Sequence, residues 1–348
     1  MIQRLLRGRG FYLFLGVLIL FLYLRTMSGG GLQPLDVDQA LQSTQSADWL
    51  LDVPDTSTLR RAAANHQSLG LALAVLIMLM GGMAIAGCVL TVRGLSKTRR
   101  SSFWHFRNPP LLHWSFGELG RITFLAVAVA LLLPFVRLAL LAFAPSWNLD
   151  QNLWILVAML LLDVFVIVTI LAFTVGKHQS TWSMLGRSLR SLQDAVRIGL
   201  RSYVTVFPWL VLLLLVISEV ARDLGFQPPL EPIHRLLFLE QRPAVLWLTG
   251  VLACLIGPIA EEFFFRGVVY ATIRSRSPRF IAMLISGGLF AVTHTNVMGF
   301  LPIGVLGCLL AYLYERTGSL ASSITVHVFH NTLLLTLAMV FRHLMPAG

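Results

Sequence analysis

Long apolar runs constrain this chain more than any other feature of its sequence. A helix needs about 20 apolar residues to cross roughly 30 Å of hydrocarbon. We predict about nine such spans in an all-α, polytopic transmembrane bundle, with a polar cavity in its C-terminal half. The spans are expected at about residues 10–27, 68–92, 122–144, 153–176, 203–221, 244–272, 280–297, 299–315 and 318–340.

The composition supports a membrane protein. Of the 348 residues, 56% are hydrophobic and only 12% are charged, whereas soluble domains carry roughly 25% charged residues. The net charge of +11 is concentrated between the apolar runs, where it suits orientation and contact with anionic lipid headgroups. We therefore expect an integral, multi-pass protein with membrane lipids as partners, in the cytoplasmic membrane if the source is bacterial. No nucleic-acid partner is expected, because no basic and aromatic module accompanies the charge.

The alternation of charge between spans predicts a topology. The N-terminus is basic, residues 28–66 are mainly acidic and the link after residue 92 is basic again, so we expect a cytoplasmic N-terminus. The first span has no clear cleavage site after it and resembles an uncleaved signal anchor. We divide the chain into an N-terminal membrane region, residues 1–100, and a C-terminal core, residues 101–348. Around Trp104 and Trp114 we expect an interfacial turn with its aromatic side chains at headgroup level.

Two adjacent glutamates lie in the very apolar run of residues 257–267. A carboxylate at membrane depth is costly unless it is paired, protonated or facing water, so such residues are functional candidates. Glu262 and Arg266 are four residues apart on one helix face and are predicted to form an internal ion pair. Glu261 points elsewhere and has no partner in its own helix. This pattern indicates a structural role for Glu262 and Arg266 and a chemical role for Glu261.

Polar residues recur in the next two apolar segments, at His294 and then at His327, His330 and Asn331. His327 and Asn331 project from one helix face. A carboxylate, a histidine and a His/Asn pair suffice to hydrolyse an amide, since a base must deprotonate water and donors must stabilise the oxyanion. A cavity away from bulk water strengthens these electrostatic effects.

The order of these motifs resembles the CAAX-protease and bacteriocin-processing (CPBP, or Abi) family of intramembrane endopeptidases, which includes the type II CAAX prenyl proteases. The resemblance covers about residues 250–335. It rests on three motifs, each in a separate predicted span: Glu261-Glu262-x-x-x-Arg266, Phe290-x-x-x-His294 and His327-x-x-x-Asn331.

The resemblance implies a catalytic mechanism. Glu261 and His294 would activate the attacking water, while His327 and Asn331 would form the oxyanion site. It implies a glutamate-dependent reaction that needs no metal or other cofactor. The residues expected to support the site are Glu262, Arg266 and Phe290.

The resemblance also implies the class of substrate. This would be the C-terminus or a membrane segment of a peptide or protein, with or without an attached lipid. Type II CAAX processing removes three residues after a prenylated cysteine, whereas bacterial members resemble peptide-processing or self-immunity proteins. The stretch from Thr317 to Leu320 weakly favours the second group.

Some readings stay open. His330 is not part of the motif and is expected to pack or hydrogen-bond locally, but with His294 and Glu261 it would also offer a His/His/Glu metal set. The main functional alternative is a non-proteolytic membrane protein that binds or scaffolds a partner helix on the same fold. A transporter with a carboxylate proton relay is less favoured, because no repeated halves are visible in the sequence.

Overall fold

The computed structural model describes residues 8–28, 67–95, 114–144, 150–178, 189–226, 236–238, 240–294 and 297–344, and these residues contain no β-strand. A short helical turn lies at residues 236–238. The longer helices are α1 (Arg9–Ser28), α2 (Gln67–Leu95), α3 (Phe116–Phe143), α4 (Gln151–His178), α5 (Leu189–Asp223), α6 (Pro243–Arg274), α7 (Arg279–Thr293), α8 (Phe300–Thr317) and α9 (Leu320–Leu344).

Six of these helices are long and apolar enough to cross a membrane: α2, α3, α4, α5, α6 and α9. The predicted all-helical membrane bundle is therefore confirmed for the described residues, but the number of about nine spans is not. Helix α7 has only 15 residues, which at about 1.5 Å per residue is shorter than the roughly 30 Å of hydrocarbon. Helix α8 carries Glu315 and Arg316 in its last turn. The orientation of the N-terminus stays a prediction.

The chain forms two compact units. In the first unit, which holds α1, α3 and α4, helix α3 packs against both of the others. The second unit holds α2 and α5 to α9. The predicted boundary after residue 100 falls in residues 96–113, outside the described residues, and so does most of the external link at residues 28–66.

Helix α9 is central to the second unit. It packs against α2, α5, α6 and α8, while α7 packs along α8. Small residues allow close helix contacts, as is common in membranes. A Cβ atom at Gly199 of α5 would lie 2.8 Å from the carbonyl oxygen of Ser322 on α9, and one at Gly287 of α7 would lie 2.6 Å from Sγ of Cys308 on α8.

Helix α6 changes its winding twice. Two π-helical segments, Leu252–Ile256 and Phe263–Tyr270, flank an α-helical segment, Gly257–Glu262. Short π-helical stretches are rare and are frequent at functional sites. Glu261 and Glu262 are the last two residues of the α-helical segment.

A buried carboxylate joins the end of α6, the start of α7 and the end of α8. Glu315 of α8 is fully buried. It accepts hydrogen bonds from the Tyr270 hydroxyl at 2.8 Å, from Nε of Arg274 at 3.0 Å and from Nε of Arg279 at 2.6 Å. The network ties the end of α6 and the start of α7 to the end of α8.

Candidate active site

The predicted ion pair on α6 is present. Nη1 of Arg266 lies 2.8 Å from Oε1 of Glu262, and both side chains are fully buried. Nη2 of Arg266 donates to the carbonyl oxygen of Gly307 at 3.0 Å, and the guanidinium carbon lies 4.6 Å from the centre of the Phe290 ring. The pair therefore links α6 to both α7 and α8.

Glu262 has a second partner that the sequence did not indicate. Its Oε1 atom lies 3.0 Å from Nδ1 of His327 on α9. An ionised carboxylate only accepts hydrogen bonds, so Nδ1 of His327 carries the hydrogen in this pair. The other ring nitrogen, Nε2, lies 3.6 Å from Oε2 of Glu261. Glu262 thus fixes the ring so that Nε2 is directed at the neighbouring glutamate.

His294 reaches the same carboxylate from the end of α7. Its Nδ1 atom lies 2.8 Å from the carbonyl oxygen of Phe290. A carbonyl oxygen can only accept, so Nδ1 carries the hydrogen and Nε2 of the neutral ring is an acceptor. This Nε2 lies 3.9 Å from Oε2 of Glu261. The Phe290 ring supports both histidines, with ring centres 4.5 Å from His294 and 5.5 Å from His327.

Glu261 is the point where these residues meet. Its Oε2 atom is buried and has no hydrogen-bond partner among the described residues, because 3.6 and 3.9 Å are too long for direct hydrogen bonds. The side chain as a whole is 34% exposed, and that of His294 is 31% exposed, whereas that of His327 is 3% exposed. The side chains of Glu261 and His294 are therefore partly exposed, while that of His327 is buried.

Asn331 is held by the irregular winding of α6. Its Nδ2 atom donates to the carbonyl oxygen of Ala253 at 2.8 Å. In this π-helical segment, the N–H of Gly257 donates to the carbonyl oxygen of Leu252, five residues earlier. By the same pattern, the carbonyl oxygen of Ala253 would accept a hydrogen bond from the N–H of residue 258. That residue is Pro258, which has no N–H. The Asn331 amide supplies the missing donor and keeps its second N–H for another acceptor.

His330 and Trp114 lie in surroundings that the sequence did not specify. His330 is paired with the Tyr203 hydroxyl of α5 at 2.8 Å. Trp114 is only 1% exposed and donates from Nε1 to the carbonyl oxygen of Gly267 at 2.8 Å, while its expected position at headgroup level stays a prediction. Trp104 lies outside the described residues. The sequence signal for Trp114 was ambiguous, because tryptophan is frequent both at membrane interfaces and in packed cores.

The described residues contain no group of three or more His, Cys, Asp or Glu side chains placed to hold a metal ion. In particular, His330, His294 and Glu261 do not form such a group. The three cysteines are free thiols. The expectation that the reaction needs no cofactor stays a prediction.

Comparisons with known proteins match the part of the chain that contains these residues. The family that matches residues 243–333 is described as type II CAAX prenyl endopeptidase Rce1-like. The "Putative membrane peptidase YdiL" of Bacillus subtilis is 30% identical over 82 residues, which are 24% of this chain and 34% of that protein. The "UPF0177 protein YxdF" of Lactococcus lactis is 29% identical over 119 residues, which are 34% of this chain and 59% of that protein.

The chain thus spans 34% and 59% of the lengths of these two relatives. No solved structure matches it significantly. The family match begins with α6 and ends within α9, so it includes all four residues proposed from the sequence as catalytic. Residues 243–333 of this chain therefore resemble the type II CAAX prenyl endopeptidase Rce1-like family, whose model they match.

Proposed function

We propose that this protein is an intramembrane endopeptidase that hydrolyses peptide bonds with a water molecule activated by Glu261. One observation carries the proposal: Oε2 of Glu261 is buried without a hydrogen-bond partner among the described residues and lies 3.9 and 3.6 Å from Nε2 of His294 and His327. The Rce1-like match of residues 243–333 and the peptidase name of one relative support the same class of reaction.

The attacking water is bound by Glu261 and His294. Nε2 of neutral His294 and Oε2 of Glu261 are both acceptors, so they cannot hydrogen-bond to each other. A water molecule beside the 3.9 Å gap donates one hydrogen to each and directs its lone pair at the substrate carbonyl. As the new C–O bond forms, the water proton passes to this acceptor pair, which acts as general base.

The oxyanion that develops is stabilised from α9. Nδ1–H of His327 is used by Glu262, so His327 donates to the oxyanion from Nε2 only as the doubly protonated imidazolium. Asn331 provides a second donor, because only one N–H of its amide is used by Ala253. Charged and preorganised donors of this kind stabilise a transition state strongly in a site that excludes water.

Collapse of the tetrahedral intermediate breaks the C–N bond. The proton taken from water returns to the leaving nitrogen, which departs as an amine. The second oxygen of the new carboxylate comes from water. Every step uses side chains present in the site, so the proposal includes no metal ion and no covalent enzyme intermediate.

The substrate is the C-terminus or a membrane segment of a peptide or protein. Helix α6 is long and apolar enough to span a membrane, and Glu261 lies within it, so the scissile bond must enter from the lipid phase or its surface. A lipid attached to the substrate would concentrate it there. CAAX-type and bacterial peptide-processing reactions both fit this chemistry.

The test uses the purified protein in lipid vesicles and two fluorogenic peptides. One ends in a farnesylated cysteine followed by three residues, and the other is the same peptide without the lipid. We expect Glu261→Gln to lower kcat/KM by roughly 10²–10⁴-fold. The matched control is Glu219→Gln, which alters an exposed carboxylate of α5 paired with Arg222.

Three outcomes would contradict the proposal in different ways. Equal cleavage by wild type and Glu261→Gln would show that this carboxylate does not activate water. Loss of activity with a chelator and its recovery with a divalent metal would show that the reaction needs a metal ion. A protein that binds both peptides and cleaves neither would be a binding or scaffolding protein on this fold.

A further inference from the structure

His330 is a polar residue beside the site that the proposed mechanism does not use. It lies three residues after His327 on α9. Residues three apart are neighbours on one helix face, with Cβ atoms about 5–6 Å apart. The His330 side chain is partly exposed, unlike that of His327. It therefore lies on the same helix face as His327 and is less deeply buried.

The ring orientation of His330 is set by Tyr203. The hydroxyl of Tyr203 lies 2.8 Å from Nδ1 of His330, and the two rings meet edge to face with centres 5.8 Å apart. Tyr203 is fully buried on α5 and is packed against the Phe329 ring at 5.5 Å. This packing holds the hydroxyl in place.

The pair also sets which nitrogen of His330 carries the hydrogen. A buried hydroxyl that does not donate is destabilising, and among the described residues Nδ1 of His330 is the acceptor that the Tyr203 hydroxyl reaches. The O–H therefore donates to Nδ1. In the neutral ring the hydrogen then lies on Nε2.

This Nε2–H is available to a ligand. The buried polar side-chain atoms without a partner in the described part of the chain belong to Arg137, Glu261, Glu262, Arg266 and Tyr314. Nε2 of His330 is not among them, and no hydrogen bond of this atom is found among the described residues. It is thus an accessible donor with a fixed orientation, directly before Asn331 in the sequence and about one helical turn from His327.

We propose that Nε2–H of His330 binds a backbone carbonyl oxygen of the substrate peptide beside the scissile bond. The inference rests on the proposed function. A peptide must leave its helical hydrogen bonding before a protease can attack it, and a carbonyl without a partner is costly in an apolar environment. A neutral donor held by a buried tyrosine meets this need without adding another charge to the site. Tyr203 is the positioning residue of the pair.

This role predicts a particular kinetic change. A bond made equally in the bound substrate and in the transition state raises KM when it is lost and changes kcat less. For His330→Phe, which keeps a ring but has no donor, we expect a roughly three- to tenfold higher KM. Tyr203→Phe should have a smaller effect in the same direction, and His330→Gln, which keeps an N–H donor, should recover part of the affinity.

The experiment measures KM and also binding without cleavage. The farnesylated peptide and its unlipidated form are titrated against Glu261→Gln protein with and without His330→Phe, by fluorescence anisotropy in lipid vesicles. The matched control is His343→Phe, at an exposed histidine of the same helix whose Nδ1 contacts the carbonyl oxygen of Met339. We expect weaker binding only with His330→Phe.

Unchanged binding and unchanged KM in His330→Phe would overturn the role of His330 and leave the proposed function standing. A fall in kcat with unchanged KM would also overturn it, in favour of a catalytic or structural role. Equal cleavage by wild type and Glu261→Gln would overturn the proposed function, while the anisotropy measurement would still decide whether His330 binds the peptide.

Discussion

Oε1 of Glu262 lies 3.0 Å from Nδ1 of His327, although the two residues are 65 positions apart in the sequence. The same oxygen accepts from Nη1 of Arg266 at 2.8 Å. A charge-bearing carboxylate thus joins α6 to α9 and holds the imidazole with its free nitrogen towards Glu261. The second glutamate of the pair is therefore a positioning residue for His327 as well as the partner of Arg266.

We predict that Glu262→Gln lowers kcat more than it weakens substrate binding. The amide has no charge to stabilise the imidazolium of His327 in the transition state. Hydrogen bonds to charged groups contribute about 1.5–3 kcal/mol, which corresponds to a loss of roughly 10–100-fold in kcat. Glu262→Asp, which keeps the charge, should lose less. A Glu262→Gln enzyme with wild-type kcat would show that His327 does not depend on this carboxylate.

Arg266 should be more important for stability than for binding substrate. Arg266→Met leaves the fully buried Glu262 without its arginine partner, and breaking a buried pair in this way costs about 3–5 kcal/mol. The double variant Arg266→Met/Glu262→Leu removes both charges and should be more stable than the single variant. Thermal unfolding in detergent micelles checks this order. A double variant that unfolds at a lower temperature than Arg266→Met would contradict it.

Two neighbouring glycines of α7 provide a matched test of helix packing. A Cβ atom at Gly287 would lie 2.8 Å from the backbone nitrogen of Cys308 on α8, whereas one at Gly288 would meet nothing within 4 Å. Gly287→Ala should force α7 and α8 apart and destabilise the protein by about 1–3 kcal/mol.

Gly288→Ala should be neutral or stabilise the helix by up to about 1 kcal/mol. The same unfolding assay compares the two variants. Gly287→Ala should also lower activity, since Arg266 donates to the carbonyl oxygen of the adjacent Gly307 on α8. Equal stability of both alanine variants would argue against a close contact between α7 and α8.

The indole of Trp114 should stabilise the second π-helical segment of α6. Trp114→Phe removes the donor to the carbonyl oxygen of Gly267, and we expect a loss of about 1–3 kcal/mol because a buried acceptor is left without its partner. The control is Trp247→Phe. Trp247 lies on α6, as Gly267 does, and is 76% exposed. Similar unfolding temperatures for the two variants would contradict this role.

The sequence predicted the features that depend on local spacing. The ion pair of Glu262 and Arg266 follows from residues four apart on a helix. The predicted sixth span, residues 244–272, agrees closely with Pro243–Arg274. The motifs also indicated which polar residues lie together. In the structure, Nε2 of His294 and Nε2 of His327 lie 3.9 and 3.6 Å from Oε2 of Glu261.

The sequence could not predict contacts between distant segments. The bond from Asn331 to Ala253 depends on a π-helical winding that no periodicity reveals. The partners of Trp114 and His330 lie on other helices, so only tertiary packing brings them together. The predicted span at residues 203–221 is part of one longer helix, Leu189–Asp223, because helical periodicity does not show where a helix leaves the membrane.

The most direct test of the account compares the membrane peptidomes of cells that carry wild-type protein or Glu261→Gln at equal levels. We expect new peptide C-termini that are present with wild type and absent with Glu261→Gln, and their sequences would identify the substrate and whether it is prenylated. The same C-termini in both peptidomes would contradict a glutamate-activated intramembrane protease.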